Sequence, residues 1–304
     1  MSTRRLTIDH GSRATRRASA RRRRHRLLPP LLALGLFGLG ALAVALVVAP
    51  LALPSTCEFA TADGSRVPLA PEQAGNAATI AAVAVRLDLP DRAALVAIAT
   101  ALQESKLRNL AGGDRDSLGL FQQRPSQGWG TPEQIRDPVY ASERFYLALE
   151  KVPGWESMPL TEAAQRVQRS GFPTAYAAHE DQAQIYAQAL TGARPRAVAC
   201  RLTDDSARQA TGATQPTDVA TELKREMGVV SQVSGARLEF SSASPQNAAG
   251  AAAWAVAQAD RFAIIEVRLG AQSWRRTPVD DALRWSPPEG TAPPTTVRIE
   301  LAAR

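Results

Sequence analysis

The sequence predicts one membrane-spanning helix, then a mainly α-helical domain, then a small α/β domain. Residues 27–53 carry no charge, residues 57–200 show helical spacing and helix-capping residues, and strand-like alternation appears only beyond residue 218. A chain of 304 residues, 45% of them hydrophobic, is long enough for about two packed domains. The predicted boundaries are 1–26 for a basic tail, 27–53 for the transmembrane helix, 57–200 for the helical domain, 201–217 for a linker and 218–304 for the α/β domain.

The basic charge of the chain is concentrated at its N-terminus. Residues 1–26 hold ten Arg and one Asp, a net charge of +9, whereas the whole chain carries +7. The remainder therefore sums to −2, so the composition does not favour a nucleic-acid-binding domain and no nucleic-acid partner is expected. The Arg run at 21–24 directly precedes the apolar segment, which favours a topology signal over a nucleic-acid patch.

The apolar segment at 27–53 is long enough to cross a bilayer, since about 20 apolar residues suffice. With the Arg cluster on its N-terminal side, we expect a cytoplasmic N-terminus and an extracytoplasmic main part, that is, a single-pass signal-anchor protein of the cell membrane. A cleaved signal peptide is the alternative. Its apolar core is normally about 7–15 residues long and ends at a small-residue cleavage site, which Ala49-Pro50-Leu51 does not resemble.

Cys57 and Cys200 are the two cysteines of the chain, and both lie on the predicted outer side, where disulfides persist. They bracket the helical block, which favours a disulfide that ties its ends together. Two unpaired thiols are one alternative. Lipidation of Cys57 is another, although Pro54 stands where a lipoprotein signal has a Leu-like residue. The His residues are scattered, so no metal site is predicted.

Capping residues and apolar stripes predict helices between the two cysteines. One helix is expected at 74–87, and another begins near Asp91, whose charge-free segment 93–103 indicates burial on all sides. Further helix starts are predicted at Asp137-Pro138, Thr161 and Pro173, the last helix ending at Gly192. No convincing strand pattern appears in this block.

Glu104 closes the predicted buried helix. A carboxyl group among apolar side chains tends to keep its proton near neutral pH. A protonated carboxyl in a cleft is what a glycosidase needs as general acid for the leaving oxygen. The alternative is a solvated Glu at a helix end with no special role.

Two motifs follow the Glu104-Ser105 pair. The loop Gly-Gly-Asp-Arg-Asp-Ser at 112–117 leads into Gly-Leu-Phe-Gln at 119–122, and Ala-Tyr-Ala-Ala stands at 175–178. Together these segments resemble the lysozyme-like superfamily, specifically goose-type lysozymes and lytic transglycosylases. The family pattern is Glu-Ser at a helix end, a loop, Gly-Leu-Met-Gln, and later Ala-Tyr-Asn-Ala-Gly. The resemblance covers roughly residues 73–192.

The resemblance implies a mainly α lysozyme-like domain over 57–200, with Glu104 as general acid and Asp114 as the carboxylate that positions or activates water. It also implies that the groove for the sugar chain lies beside Glu104. Trp129, between Gly residues, is a candidate for stacking on a sugar ring, with core packing as the alternative. The expected substrate-binding residues are Ser105, Gly119, Gln122, Trp129 and Tyr176.

Three features depart from the family pattern. Arg124 stands where goose-type enzymes have a second acidic residue, Ala177 replaces the Asn after Tyr, and the loop after Glu104 is shorter. Without that second acid, the one-Glu mechanism of lytic transglycosylases is favoured over hydrolysis, in which Asp114 or Asp116 would activate water.

The expected function is cleavage of peptidoglycan glycan strands by a membrane-anchored lytic transglycosylase or muramidase that needs no cofactor. The alternative is a catalytically inactive lysozyme-like protein that binds glycan or acts as a scaffold in the cell envelope. Residues 218–304 contain no catalytic constellation, and we expect there a small α/β (α+β) domain that meets an envelope protein partner. The expected elements are helices at 218–227 and 248–260 and strands at 236–240, 262–269 and 296–301.

Overall fold

A computed structural model describes residues 53–170, 174–203, 215–287 and 289–302. The predicted basic tail at 1–26 and all but the last residue of the predicted membrane segment at 27–53 lie outside these ranges, as does most of the predicted linker. Among the described helices, none has the length and apolar character that a bilayer crossing requires. The described residues belong to one compact unit that combines α-helices with two antiparallel sheets.

Six α-helices form the first part of this unit. They are α1 (Pro71–Arg86), α2 (Asp91–Ser105), α3 (Pro132–Ile135), α4 (Pro138–Leu149), α5 (Leu160–Gln168) and α6 (Glu180–Leu190). Helix α2 is buried from Ala93 to Leu102, as its lack of charge indicates. Helix α4 begins as expected, because the Asp137 side chain accepts a hydrogen bond from Val139 N at 3.0 Å.

Two helix boundaries differ from the sequence prediction. Helix α5 begins at Leu160 after an extended Pro159, so Thr161 lies inside the helix instead of capping it. The single helix predicted to end at Gly192 is interrupted: a 3₁₀ turn spans Ala175–His179, and α6 follows it. The prediction of one continuous helix there is wrong, because the tighter turn is compatible with the same local sequence and is selected by its contacts with α2.

A small sheet flanks the helices, although the sequence of residues 57–200 shows no convincing strand pattern. Strands β1 (Thr56–Ala60), β2 (Arg66–Leu69) and β3 (Val198–Arg201) pair in the order β2-β1-β3. Each has only four or five residues, too few for a clear alternation. Cys57 and Cys200 are register partners and form the predicted disulfide, which is confirmed.

The C-terminal part contains a five-stranded antiparallel sheet in the order β4-β5-β8-β6-β7. Its strands are β4 (Gln232–Ser234), β5 (Arg237–Ser241), β6 (Ile264–Leu269), β7 (Gln272–Arg275) and β8 (Thr296–Leu301), and its helices are α7 (Pro216–Met227), α8 (Pro245–Ala257) and α9 (Ala259–Phe262). Helix α8 is Ala-rich and buried from Ala248 onward, since it packs against the sheet and the first helices. The mixture of helices and strands expected after residue 218 is confirmed.

Close backbone approach joins the two parts. A Cβ on Gly192 would lie 2.0 Å from the Gln246 carbonyl oxygen, so only glycine allows α8 to sit this near the end of α6. Trp274 Nε1 donates to the carbonyls of Cys200 at 3.2 Å and Ala282 at 2.8 Å, and Trp285 Nε1 donates to Val198 at 2.9 Å. Strand β3 is therefore held by tryptophans of the C-terminal part.

Candidate functional site

Glu104 lies in the last turn of α2, where the helix ends abruptly. Lys106 and Leu107 both adopt left-handed backbone conformations, with φ of 54° and 58°. Their N–H groups donate back to Leu102 and Ala101 at 3.0 Å, which satisfies the helix-end carbonyls. Leu107 is fully buried and anchors the turn, while Glu104 remains half-buried. The carboxyl group is thus neither enclosed in the core nor fully surrounded by solvent.

Tyr176 holds the Glu104 carboxyl group from the neighbouring 3₁₀ turn. Its phenol donates to Glu104 Oε1 at 2.7 Å, and the Tyr176 side chain is fully buried. Burial raises the pKa of Tyr176 well above its ordinary value of 10.0, and the adjacent Glu104 adds to this rise. The phenol is therefore a donor at any physiological pH. Within the described residues, the other carboxyl oxygen of Glu104, Oε2, has no hydrogen-bond partner.

A second contact fixes the same 3₁₀ turn over the end of α2. His179 Nε2 lies 3.0 Å from Gln103 Oε1, three residues beyond Tyr176 in the chain. Burial lowers the pKa of His179 and favours its neutral form. Because Gln103 and Glu104 are adjacent, the two contacts together set where the Tyr176 phenol stands.

Ser105 connects the end of α2 to the turn that contains the Gly-Leu-Phe-Gln motif. Its buried Oγ donates to Leu120 O at 2.7 Å and to Ala101 O at 3.0 Å. The motif forms a tight hairpin, in which Leu118 and Gln123 exchange backbone hydrogen bonds of 2.9 and 3.1 Å. Ser105 therefore sets the distance between the helix that carries Glu104 and this hairpin.

Gly119 is required by the geometry of the hairpin. Its φ is +75°, and a Cβ there would meet the Ile135 carbonyl oxygen at 2.6 Å. Gln122, at the other side of the turn, donates through Nε2 to Gly119 O at 3.2 Å and accepts from Ser117 Oγ at 3.0 Å. The Gln122 amide thus closes the hairpin and lies against the backbone of Gly113, where a Cβ would overlap it.

The loop carboxylates are not in contact with Glu104. The Asp114 side chain is 93% exposed, with Oδ2 3.8 Å from Arg115 Nε. Asp116 accepts from Arg124 Nε at 2.7 Å and from Ser126 N at 2.8 Å. The Arg124 guanidinium holds the pKa of Asp116 well below its ordinary value of 3.8. In the described residues, neither Asp114 nor Asp116 hydrogen bonds to Glu104, and the expected water-activating role of Asp114 stays a prediction.

Trp129 borders a cleft of about 600 Å³ whose lining does not include Glu104, and the expected sugar groove beside Glu104 stays a prediction. The indole is half-buried against the core, and its backbone carbonyl accepts from Tyr140 Oη at 3.3 Å. Gln168, also in the lining, donates to Phe121 O at 2.7 Å. The cleft is therefore connected to the motif hairpin by one direct hydrogen bond.

Two pairings of the site escaped sequence reasoning: Gln103 with His179, and Asp116 with Arg124. The first pairing had one weak indication in the sequence, because His179 lies three residues after Tyr176, a spacing that places both residues on one face of a helix.

In the ranges that the structure describes, no group of three or more His, Cys, Asp or Glu side chains is placed to hold a metal ion. No protein-family model matches the chain, and a search of curated proteins finds no match.

Proposed function

We propose that the chain cleaves the glycan strands of peptidoglycan, with Glu104 as general acid. The observation that carries the proposal is the hydrogen bond of 2.7 Å from buried Tyr176 to half-buried Glu104, beside a Gly-dependent hairpin fixed to the same helix by Ser105. One oxygen of the carboxyl is oriented by the protein, and the other is left for the glycosidic oxygen. This arrangement suits a proton donor to a leaving group.

In the reaction, the protonated Glu104 gives its proton to the glycosidic oxygen while the bond from that oxygen to the anomeric carbon breaks. The Tyr176 phenol stabilises the carboxylate that results, because a hydrogen bond to the charged form favours that form. A hydroxyl group then attacks the anomeric carbon, and Glu104 removes the proton of that hydroxyl. The leaving chain keeps the first proton, so Glu104 ends in its starting state.

The source of the attacking hydroxyl, water or the sugar itself, distinguishes a muramidase from a lytic transglycosylase. Hydrolysis with a second carboxylate needs a base near the anomeric carbon. Asp116 is occupied by Arg124 and Ser126, and Asp114 extends into solvent. These contacts favour attack by the sugar's own 6-hydroxyl, which needs no carboxylate besides Glu104.

The proposal is tested by comparing full-length chains on purified peptidoglycan. We expect Glu104→Gln to abolish release of soluble glycan fragments, because an amide N–H is far too weak an acid to protonate the leaving oxygen. Glu156→Gln is the matched control, since Glu156 is exposed and makes no recorded ion pair in the described residues. Fragment release by Glu104→Gln at the rate of the unaltered chain would end the proposal.

A catalytically inactive glycan-binding or scaffold protein is the second candidate. Ala177, exposed beside Tyr176, stands where the resembling family has Asn, which favours this alternative. Binding of peptidoglycan strands that is equal in the unaltered chain and in Glu104→Gln, with no cleaved product from either, would support it. Any product that depends on Glu104 would exclude it.

The proposal includes tethering to the cell membrane through residues 27–53, with the N-terminus in the cytoplasm. The charge-free segment and the preceding Arg cluster support it. Protease added outside intact cells is expected to remove the main part and leave the N-terminal tail protected. An envelope protein that binds residues 218–304 stays a prediction.

A further inference from the structure

The cleft beside Trp129 has two facing walls. One is a face of α4 and the turn after it, where lining positions recur at intervals of three and four residues; the other is the end of α5. The loop from Gln127 to Trp129 closes one side. The volume of the cleft, about 600 Å³, is large enough for a short segment of a bound polymer.

Four cations line this cleft, two on each wall, and no Asp or Glu is part of the lining. Arg144 and Lys151 belong to the α4 wall, while Arg166 and Arg169 belong to the α5 wall. In the described residues, only Arg166 has a carboxylate partner, Glu162 at 2.6 Å. Cations that face each other across a cleft with low-dielectric walls create a strong positive potential.

Among the residues that the structure describes, Arg144 has a buried guanidinium nitrogen that lacks an acceptor. Its Nη2 lies 3.5 Å from the carbonyl oxygen of Gly128, and its buried Nε has no acceptor within the described part of the chain. No carboxylate among the described residues compensates its charge. An anionic group seated between the walls would pair with this uncompensated guanidinium.

Apolar surface separates the charges. Trp129 is half-buried, Leu147 is 45% exposed although it is a large apolar side chain, and Val152 and Val167 also contribute to the lining. A polymer that binds only through its phosphate groups would gain no affinity from this apolar surface. A chain that alternates small apolar groups with carboxylates matches both properties of the cleft.

We propose that this cationic cleft binds the acidic peptide chains attached to peptidoglycan strands. The inference rests on the proposed function, since the peptides are part of the same polymer whose glycan Glu104 would cleave. Two hydrogen bonds connect the regions through the protein: Ser105 donates to Leu120 O of the motif hairpin, and Gln168 in the cleft donates to Phe121 O of the same hairpin. A strand that extends from Glu104 along this hairpin would bring its peptides to the four cations.

The test uses full-length Glu104→Gln protein, so that strands are not cleaved during binding measurements. A cleft variant adds Arg144→Gln, Lys151→Gln and Arg169→Gln. A matched control adds Arg136→Gln, Lys224→Gln and Arg284→Gln, three exposed cations outside the cleft whose side chains form no hydrogen bond or ion pair within the described residues. The ligands are soluble peptidoglycan strands with their peptides, and the same strands after an amidase has removed the peptides.

We expect the parent protein and the control variant to bind peptide-bearing strands about tenfold more tightly than stripped strands, since three exposed charge pairs together contribute about this factor. The cleft variant should bind both strands equally. If it keeps the tenfold preference, the inference is overturned. It is also overturned if polyglycerol phosphate competes better than peptide-bearing strands and loses this advantage in the cleft variant.

Failure of the cleft and failure of the catalytic proposal give different results. The cleft substitutions are also made in a chain that keeps Glu104. If this variant cleaves stripped strands normally and still prefers peptide-bearing strands, the catalytic proposal stands and the cleft inference fails. A parent chain that cleaves nothing, but whose preference for peptides disappears in the cleft variant, removes catalysis and supports the cleft as the binding site.

Discussion

The Tyr176 phenol lies 2.7 Å from Glu104 Oε1, joining residues 72 positions apart in the chain. The bond fixes one oxygen of a half-buried carboxyl at the end of a buried helix, and the tyrosine is itself fully buried. An oriented carboxyl group loses little rotational freedom when a substrate binds, which is one way a protein lowers a reaction barrier. The proposed chemistry depends on this pair.

Removing the Tyr176 hydroxyl should slow cleavage without unfolding the chain. We expect Tyr176→Phe to lower the rate of glycan-fragment release about 10- to 100-fold, the effect of losing a hydrogen bond to a charged group. The ring that fills the core is kept, so circular dichroism should not change. Tyr186→Phe is the control, since the Tyr186 hydroxyl donates to Pro68 O at 3.3 Å and accepts from Gln182 Nε2 at 2.8 Å. An unchanged rate in Tyr176→Phe would remove Tyr176 from the mechanism.

The hairpin should tolerate no side chain at Gly119. We expect Gly119→Ala to lower the free energy of unfolding by about 1 kcal/mol for the positive φ and by a further 1–3 kcal/mol for the contact with Ile135 O. Gly154→Ala separates the two effects, because Gly154 has a φ of +72° but nothing within 4 Å of its Cβ position. Urea denaturation measures both. Equal losses in the two variants would show that the close approach to Ile135 does not matter.

Glu226 should make stability depend on pH. Its side chain is 1% exposed, accepts from Trp254 Nε1 at 2.7 Å and lies 3.6 Å from Arg261. Burial raises the pKa of Glu226 above its ordinary value of 4.5, so the folded state binds this proton more tightly than the unfolded state. The contribution of the proton to stability is complete below pH 4.5 and is lost as pH rises through the raised pKa.

The sign of this effect is measurable by difference. The free energy of unfolding of the unaltered chain, minus that of Glu226→Gln, should fall as pH rises from 4.5 toward 7. Urea titrations at several pH values supply both quantities. A difference that grows with pH would mean that the Trp254 and Arg261 contacts outweigh desolvation.

The disulfide should be a major source of stability. Cys57 and Cys200 are separated by 143 residues, and closing a loop of this length removes about 5 kcal/mol of chain entropy from the unfolded state. We expect Cys57→Ser/Cys200→Ser to lower the free energy of unfolding by up to this amount, and reduction of the unaltered chain to do the same. A reduced chain as stable as the oxidised one would show that the pairing of β1 with β3 alone holds the ends together.

The sequence predicted those parts of the fold that depend on local signals. The charge-free stretch gave α2, the Asp137 cap gave the start of α4, and alternation gave β8 with the bounds it has in the structure. Strands β1 to β3 were missed, since their stability comes from partners far away in the chain and not from their own four or five residues. The 3₁₀ turn before α6 was missed for the same reason.

The candidate site likewise contains contacts that the sequence predicted and contacts that it did not. The resemblance predicted that Tyr176 lies near Glu104, and the structure places the two in contact. It did not indicate that Arg124 binds Asp116, because this pairing depends on how the loop folds back after the hairpin. The packing of Trp274 and Trp285 on β3 also depends on tertiary structure, which no local pattern encodes.

Mass spectrometry of the glycan ends released from purified peptidoglycan tests the central claim most directly. If Glu104 works alone as acid and then base, the unaltered chain will release strands with 1,6-anhydro ends, and Glu104→Gln will release none. Products with these ends from Glu104→Gln, in the same amount as from the unaltered chain, would contradict the role assigned to Glu104.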